Sequence, residues 1–203
     1  IGQAFADAFR EGDVKRQDLW VTSKLWNNQH RRDQAIPALK QTLEDLQLEY
    51  LDLWLIHWPV VIKDGVQFPT TVDELVSLNE TPISETWEGM MECQKSGLAR
   101  HIGVSNFSAK KLKLLLDTEI PPEMNQVELH PLLQQNELKD FCDSNSILLT
   151  AYSPLGSPDR HPALKSDDEP DLLGDPIIRA VAERHAANPG QILMAWAIKR
   201  GTA

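Results

Sequence analysis

The sequence predicts an α/β protein built on a parallel sheet, and among such folds it favours a (β/α)8 TIM barrel. The first observation is that predicted strands alternate with predicted helices five times along the chain. The second is a nearly unbroken apolar run at residues 51–58, typical of a strand buried on both faces. The third is that no G-x-G-x-x-G turn follows a strand, which disfavours the alternative of a doubly wound dinucleotide-binding sheet. A complete barrel has eight strands in about 250 residues, so five strands predict an incomplete one.

Composition is ordinary for a globular chain and excludes several classes of function. The chain is 41% hydrophobic and 25% charged, as globular proteins commonly are. Its length of 203 residues suits a single domain over residues 1–203. No apolar run has the length of a membrane span and no leader pattern opens the chain, so we expect a cytoplasmic protein without a membrane partner. A net charge of −10 argues against a nucleic-acid partner. Cys93 and Cys142 have no metal-ligand spacing, so they predict reduced thiols and no metal site. We expect a monomer rather than an oligomer.

The first half of the chain predicts two helices, two strands and a long connection. A helix over residues 1–9 closes at Glu11-Gly12-Asp13, and a strand covers residues 19–24. An amphipathic helix over 32–47 is predicted by apolar residues three and four positions apart, at Ile36, Leu39, Leu43 and Leu46. After the apolar strand, residues 60–82 show no clear periodicity. A loop of that length is usually functional or disordered.

The second half repeats the alternation. Ser84 is predicted to cap a helix that Gly97 ends, and Ser108 to cap the next one. The remaining strands are predicted at 100–104, 124–129 and 147–152, with a helix over 137–144. Residues 153–174 predict a second long loop, at the same C-terminal rim of the barrel as 60–82. Two helices follow, because Asp175-Pro176 and Asn188-Pro189 each place a capping side chain before a proline.

Each of the five predicted strands ends in a side chain able to donate a hydrogen bond, accept one or carry charge. These side chains are Lys24, His57, Ser105 with Asn106, Gln126, and Tyr152 with Ser153. Strand ends of a parallel barrel lie on one rim, so we expect these groups to converge on one pocket. Each also has a structural alternative: a solvated lysine, a core histidine, a helix-capping turn, an amide bonded to the backbone, a core aromatic. Trp26 and Trp58 either pack the core or form an apolar wall for a substrate.

A lysine and a histidine on one rim indicate chemistry at a carbonyl group. The charge of Lys24 would lower the pKa of a neighbouring acid, because it favours the anion. His57 would orient a carbonyl oxygen through a hydrogen bond. Asn106 and Gln126 suit a carboxamide, which offers one donor group and one acceptor. Together with the flat face of Tyr152, these residues predict a nicotinamide ring held by its amide.

Five segments, in order along the chain, resemble the aldo-keto reductases. They are TSKLW at 22–26, DLWLIHWP at 52–59, IGVSNF at 102–107, NQVELHP at 125–131 and AYSPLGS at 151–157. The resemblance covers essentially the whole chain, and five matched segments are far more specific than a single motif. The long connection 60–82 and the segment PISETW at 82–87 look most like the aldehyde and aldose reductase branch.

The resemblance implies a (β/α)8 barrel that uses NADPH (NADP+) to reduce a small-molecule aldehyde or ketone to an alcohol. It implies that Lys24 lowers the pKa of a catalytic tyrosine, that His57 positions the substrate carbonyl, and that Trp26 and Trp58 border the substrate. It also implies a cofactor site made by Ser105, Asn106, Gln126, Tyr152, Ser153, Leu155 and Ser157, with Asp159 as a latch. NADPH is expected rather than NADH only because members of the family generally use NADPH.

The chain departs from the family pattern in the proton donor. The resemblance places that tyrosine and its aspartate partner before Ile1, and the last barrel strand, with the residues that grip the 2′-phosphate, after Ala203. Tyr50 begins a strand and is expected on the wrong rim, and Tyr152 is assigned to the nicotinamide. We therefore expect little turnover from these residues alone. Two other functions stay open: a non-catalytic, cofactor-binding or regulatory barrel, and a lyase with Lys24 as Schiff-base amine.

Overall fold

The structure, a computed structural model, describes residues 1–157 and 171–203. The chain divides into two compact units, Ile1–Asn125 and Gln126–Ala203, each described here on its own. The expectation of a single domain stays a prediction. The first unit contains, in chain order, α1 (Gly2–Glu11), β1 (Thr22–Leu25), α2 (Arg32–Leu46), β2 (Leu51–Ile56), β3 (Val61–Ile62), β4 (Leu75–Val76), α3 (Ile83–Lys95), β5 (Ala99–Ser105) and α4 (Ala109–Leu112). Strand β6 (Met124–Glu128) begins in the first unit and ends in the second, which also holds α5 (Asn136–Ser144), β7 (Leu148–Tyr152), α6 (Pro176–Arg184) and α7 (Pro189–Lys199).

The first unit is organised around β2, which pairs in parallel with β1 on one side and β5 on the other. All six residues of β2 are buried, as the apolar run predicts. Lys24 lies opposite Leu55, and Leu55 lies opposite Gly103. Because the three strands are parallel, their carboxyl ends lie at one edge of this sheet and their beginnings at the other.

Helices α2 and α3 pack closely because Gly89 has no side chain. A Cβ atom at Gly89 would lie 2.8 Å from both the Cβ atom of Ala35 and the carbonyl oxygen of Arg32. Helix α3 also buries Trp87 and Met90 completely. The predicted cap at Ser84 is wrong, since the residue that precedes the first turn is Pro82, with φ −65° and ψ 148°. Proline suits that place because its ring fixes φ and it has no N–H to leave unpaired.

Two stretches of the first unit differ from the prediction. Strand β1 begins at Thr22 rather than at residue 19, because residues Arg16–Asp18 form a 3-10 turn. The connection 60–82, expected to lack regular structure, contains an antiparallel hairpin in which Val61 faces Val76 and Ile62 faces Leu75. Strands of two residues are too short to show a period-2 pattern.

A cluster of charged and aromatic residues holds the beginnings of the strands. The buried carboxylate of Asp52 accepts hydrogen bonds from Arg16 Nη2 at 2.8 Å and Val21 N at 2.9 Å, and Arg100 Nη1 lies 3.4 Å away. The guanidinium groups of Arg16 and Arg100 lie over the Tyr50 ring, 3.9 and 3.8 Å from its centroid. Tyr50 therefore sits at the edge of the sheet opposite to His57. We call these four side chains, Arg16, Tyr50, Asp52 and Arg100, the strand-start cluster.

The second unit packs α6 and α7 around Leu172, Ile178 and Leu193. Both predicted caps are present. Asp175 Oδ1 accepts from the backbone N–H groups of Ile177 and Ile178 at 2.8 and 3.0 Å, and Asn188 Oδ1 accepts from Gln191 N at 2.9 Å. At the edge of β7, Ala151 N donates to Ala203 O at 2.7 Å and Ala203 N donates to Leu149 O at 3.1 Å.

The described residues, 1–157 and 171–203, contain both cysteines of the chain. Cys93 and Cys142 are buried thiols that are not joined in a disulfide, and burial raises the pKa of Cys93 to about 12. None of the helices in these ranges combines the length and the apolar character that crossing a membrane requires. Within the same ranges, no three His, Cys, Asp or Glu side chains are grouped so that they could hold a metal ion.

Candidate active site

His57 follows β2 directly and is held by the sheet. Its backbone N–H donates to Leu25 O at 3.1 Å, so the residue continues the pairing with β1. Its half-buried imidazole meets the Trp26 indole edge to face, with ring centroids 5.0 Å apart. On another side the Trp58 ring stacks at 6.4 Å and 19°. Two indoles therefore enclose the imidazole.

Lys24 lies on the same face of the sheet as His57. Side chains two residues apart on a strand share a face, so His57 points as Leu55 does, and Leu55 is the register partner of Lys24. Burial and, to a lesser extent, the positive charge of Lys24 together lower the pKa of His57 to about 4. Burial also lowers the pKa of Lys24. The imidazole is thus uncharged at neutral pH and lies within electrostatic reach of the ammonium group.

Asn106 joins the end of β5 to His57. It adopts φ 64°, in the left-handed region that asparagine enters more readily than most residues. Its Nδ2 atom donates to His57 O at 3.0 Å and to Ser105 Oγ at 3.1 Å. Because one acceptor is a main-chain carbonyl, the orientation of the amide is fixed. Both N–H groups are therefore engaged, whereas Oδ1 accepts no hydrogen bond from the described residues.

Asn125 supports this turn from the neighbouring strand. Its side chain is fully buried, accepts from Phe107 N at 3.3 Å and donates to Phe107 O at 2.9 Å. Asn125 lies in a matched segment, but no role was predicted for it. Because it precedes Gln126 on β6, its side chain lies on the opposite face of the strand, and this position could have indicated a structural role.

Phe68 extends the apolar wall and was also missed. The Trp26 indole donates from Nε1 to Gln67 O at 2.9 Å, and its ring meets Phe68 edge to face at 5.5 Å. Phe68 is 75% exposed and Trp58 is 40% exposed, so this wall faces solvent. The signal that could have found Phe68 was an aromatic residue within a connection long enough to suggest function.

The other residues of the predicted site lie in the second unit. Gln126 is half-buried on β6, and Tyr152, also half-buried, ends β7. Ser157 Oγ donates to Ser153 Oγ at 2.6 Å, and Leu155 packs against the cluster of Leu172, Ile178 and Leu193. Asp159 lies outside the described residues. The convergence of this group with Lys24 and His57 on one pocket stays a prediction.

The comparison with known proteins decides the family. A sequence model described as the Aldo/keto reductase family matches residues 1–203. The chain belongs to this family. The relative "Aldo/keto reductase slr0942" of Synechocystis is 53% identical, with 100% of this chain and 62% of the relative covered. "Aldo-keto reductase family 1 member A1" is 43% identical in Rattus norvegicus and 44% in Gallus gallus, in each case over 98% of this chain and 62% of the relative.

Membership in the aldo/keto reductase family confirms the predicted fold class, because the fold of the family is a (β/α)8 barrel. The parallel strands and alternating helices of the two units are the part of that fold described here. The chain spans about 62% of the length of the curated relatives it matches.

Proposed function

We propose that the protein containing this chain is an oxidoreductase that uses NADPH to reduce small-molecule aldehydes or ketones to alcohols. Membership in the aldo/keto reductase family supports this class of reaction. The observation that carries the proposal is the pair of Lys24 and His57, on adjacent strands and one face of the sheet, with the Trp26 ring against the imidazole.

In this proposal His57 holds the carbonyl oxygen of the substrate. With a pKa of about 4, its imidazole is neutral at physiological pH and donates an N–H hydrogen bond without delivering a proton. The bond strengthens as negative charge develops on that oxygen, and the two neighbouring indoles increase its effect because they exclude water from part of the imidazole surface. Mutations that remove one such donor cost about 10²–10³-fold in kcat.

Lys24 acts on the proton donor. Its ammonium charge favours the anionic form of a neighbouring hydroxyl and so lowers the pKa of that group. The resemblance to the family implies that the donor is a tyrosine, which we propose lies outside these 203 residues. Tyr50 is held between two guanidinium groups at the opposite edge of the sheet, and Tyr152 is proposed to stack on the cofactor. The proton would go to the carbonyl oxygen while the carbonyl carbon gains a hydride, which gives the alcohol.

The residues after β5 suit the carboxamide of a nicotinamide cofactor. The donors of Asn106 are engaged within the protein and Oδ1 is left as an acceptor, so a ligand –NH2 group is the complementary partner. Ser105 and Gln126 are proposed to share this role. Tyr152 is proposed to stack on the ring, with Ser153, Leu155 and Ser157 along the pyrophosphate. When bound, NADPH would supply the hydride.

Trp26 and Trp58, joined by Phe68, are proposed to contact the substrate. Their rings make an apolar wall next to His57, so a carbonyl compound with a flat apolar substituent fits best.

We further propose that the protein is a cytoplasmic monomer without nucleic-acid or membrane partners. The reduced thiols of Cys93 and Cys142 suit a reducing compartment.

The test is NADPH-dependent reduction of an aldehyde by the complete gene product. His57→Ala should lower kcat by about 10²–10³-fold and leave the Kd for NADPH unchanged. Asn106→Ala should raise that Kd. Lys110→Met, an exposed change on α4, is the control and should alter neither quantity.

Two results would contradict the proposal. NADPH binding without any turnover on a panel of aldehydes and ketones would favour the non-catalytic, regulatory barrel. Trapping of substrate on Lys24 by borohydride would favour a lyase that forms a Schiff base.

A further inference from the structure

The N–H of His57 still pairs with β1, but the main chain at Trp58 and Pro59, just beyond it, is held by side chains rather than by the sheet. Within residues 1–157 and 171–203, no hydrogen bond between main-chain groups holds Trp58 or Pro59. Instead, the two carbonyl groups on either side of Trp58 each accept from a side chain. Asn106 Nδ2 donates to His57 O at 3.0 Å, and Lys111 Nζ donates to Pro59 O at 3.1 Å. Both donors come from the segment that follows β5.

We propose that Lys111 is a positioning residue that, together with Asn106, fixes the main chain of residues 57–59 and thereby the orientation of the Trp58 indole. The role of Asn106 in holding the cofactor belongs to the proposed function, on which this inference rests for its kinetic readout. The new element is Lys111, which touches neither of the reacting groups and acts through the carbonyl group of Pro59.

The local structure directs Lys111 toward this carbonyl group. Helix α4 is one turn long, and Ser108 Oγ caps it by accepting from Lys111 N at 3.4 Å. Lys111 is half-buried, whereas Lys110 and Lys113 on either side are exposed. Burial lowers the pKa of Lys111, because the ammonium group loses hydration. A hydrogen bond to a main-chain carbonyl offsets part of that loss.

The position of Trp58 matters because its ring stacks on His57 and is 40% exposed. If the Pro59 carbonyl is released, the main chain around Trp58 loses one of its two side-chain hydrogen bonds while His57 keeps its bond to β1. The kcat/KM for aryl aldehydes, which would lie on the indole, should therefore fall, and that for short aliphatic aldehydes should fall much less. Misplacement of a positioning group by about 1 Å can cost as much as 10²-fold.

The experiment compares Lys111→Met, Lys111→Arg and the control Lys110→Met in the complete gene product. Lys111→Met should lower kcat/KM for 4-nitrobenzaldehyde about tenfold or more, lower it much less for propanal, and leave the Kd for NADPH unchanged. Lys111→Arg, which keeps a cationic donor, should restore most of the loss. The control should match the wild type. Equal losses for both aldehydes, together with a lower Tm, would mean a structural role only and would overturn the proposal.

A second measurement does not depend on turnover. In protein labelled with 5-fluorotryptophan, the 19F resonance of Trp58, assigned with Trp58→Phe, should shift or broaden in Lys111→Met and not in Lys110→Met. An unchanged Trp58 resonance in Lys111→Met overturns the positioning role even if the enzyme is active. A shifted resonance in a protein that reduces neither aldehyde supports the positioning role and counts against the proposed function alone.

Discussion

The Trp26 indole meets the His57 imidazole edge to face, with ring centroids 5.0 Å apart. This contact helps to explain why burial lowers the pKa of His57 more than the positive charge of Lys24 does. A protonated, half-buried imidazole between two indoles would lose part of its hydration. The neutral state of His57 thus depends on its apolar neighbours more than on the lysine.

The first prediction concerns that balance. Lys24→Met removes the positive charge, so the pKa of His57 should rise above about 4. It should stay below 6.5, because the burial persists. NMR titration of the His57 ring measures the change, and Lys40→Met on the exposed face of α2 is the control. A pKa of 6.5 in Lys24→Met would show that burial has no part in the shift.

The second prediction concerns acid stability and His30. Its side chain is 3% exposed, its Nε2 atom has no hydrogen-bond partner in the described residues, and burial lowers its pKa to about 4 from 6.5. Between these two pH values the unfolded chain binds a proton that the folded chain does not. Stability should therefore be complete above pH 6.5 and fall as the pH drops toward 4, by up to about 3 kcal/mol.

Urea unfolding at pH 7 and pH 4.5 measures this loss. His30→Gln should weaken the pH dependence, and the same change at exposed His185 should leave it as in the wild type. If His30→Gln and the wild type lose equal stability between the two pH values, His30 is not the group responsible.

The third prediction concerns the strand-start cluster. Asp52→Asn removes the charge that faces Arg16, whose side chain is only 16% exposed, and leaves that guanidinium group without its counter-charge. Removing one partner of a buried ion pair costs about 3–5 kcal/mol. Denaturant unfolding measures the cost. Asp64→Asn, which breaks the exposed pair with Arg31, should have a much smaller effect, and equal effects would contradict the prediction.

The fourth prediction concerns the contact between α2 and α3. Gly89→Ala places a methyl group 2.8 Å from Ala35 and from the backbone of Arg32, so the helices must move apart. Such overpacking lowers the free energy of unfolding by about 1–3 kcal/mol, which exceeds the stabilisation from the better helix propensity of alanine. Gly190→Ala on α7, where the nearest atom is 3.3 Å away, is the matched control. A rise in Tm for Gly89→Ala would contradict this reading of the packing.

Strands and strand ends could be predicted from the sequence because their signals are local. The apolar run of β2 indicates burial on both faces, and the residue types after each strand indicate a polar rim. Proline and capping residues likewise marked the beginnings of α6 and α7, although the same reasoning misplaced the beginning of α3 at Ser84. Periodicity could not reveal β3 and β4, whose two residues each are shorter than one repeat.

The contacts that refine the site could not be predicted in this way. The bonds from Asn106 to His57, from Trp26 to Gln67 and from Lys111 to Pro59 join residues 49, 41 and 52 positions apart. Such pairs depend on how the chain returns in space, and no local propensity encodes them. Trp26, His57 and Asn106 could be picked out from the sequence, but the bond between Asn106 and His57 could not, nor could the roles of Gln67 and Lys111.

The strand-start cluster and the pair of Lys24 and His57 lie at opposite edges of one sheet. Folding stability and the proposed chemistry therefore draw on different side chains. A protein engineer can diversify residues 63–71, which carry Phe68, and screen for new substrates while Arg16, Asp52 and Arg100 keep the scaffold intact. The same separation gives evolution room to vary substrate preference without first having to rescue the fold.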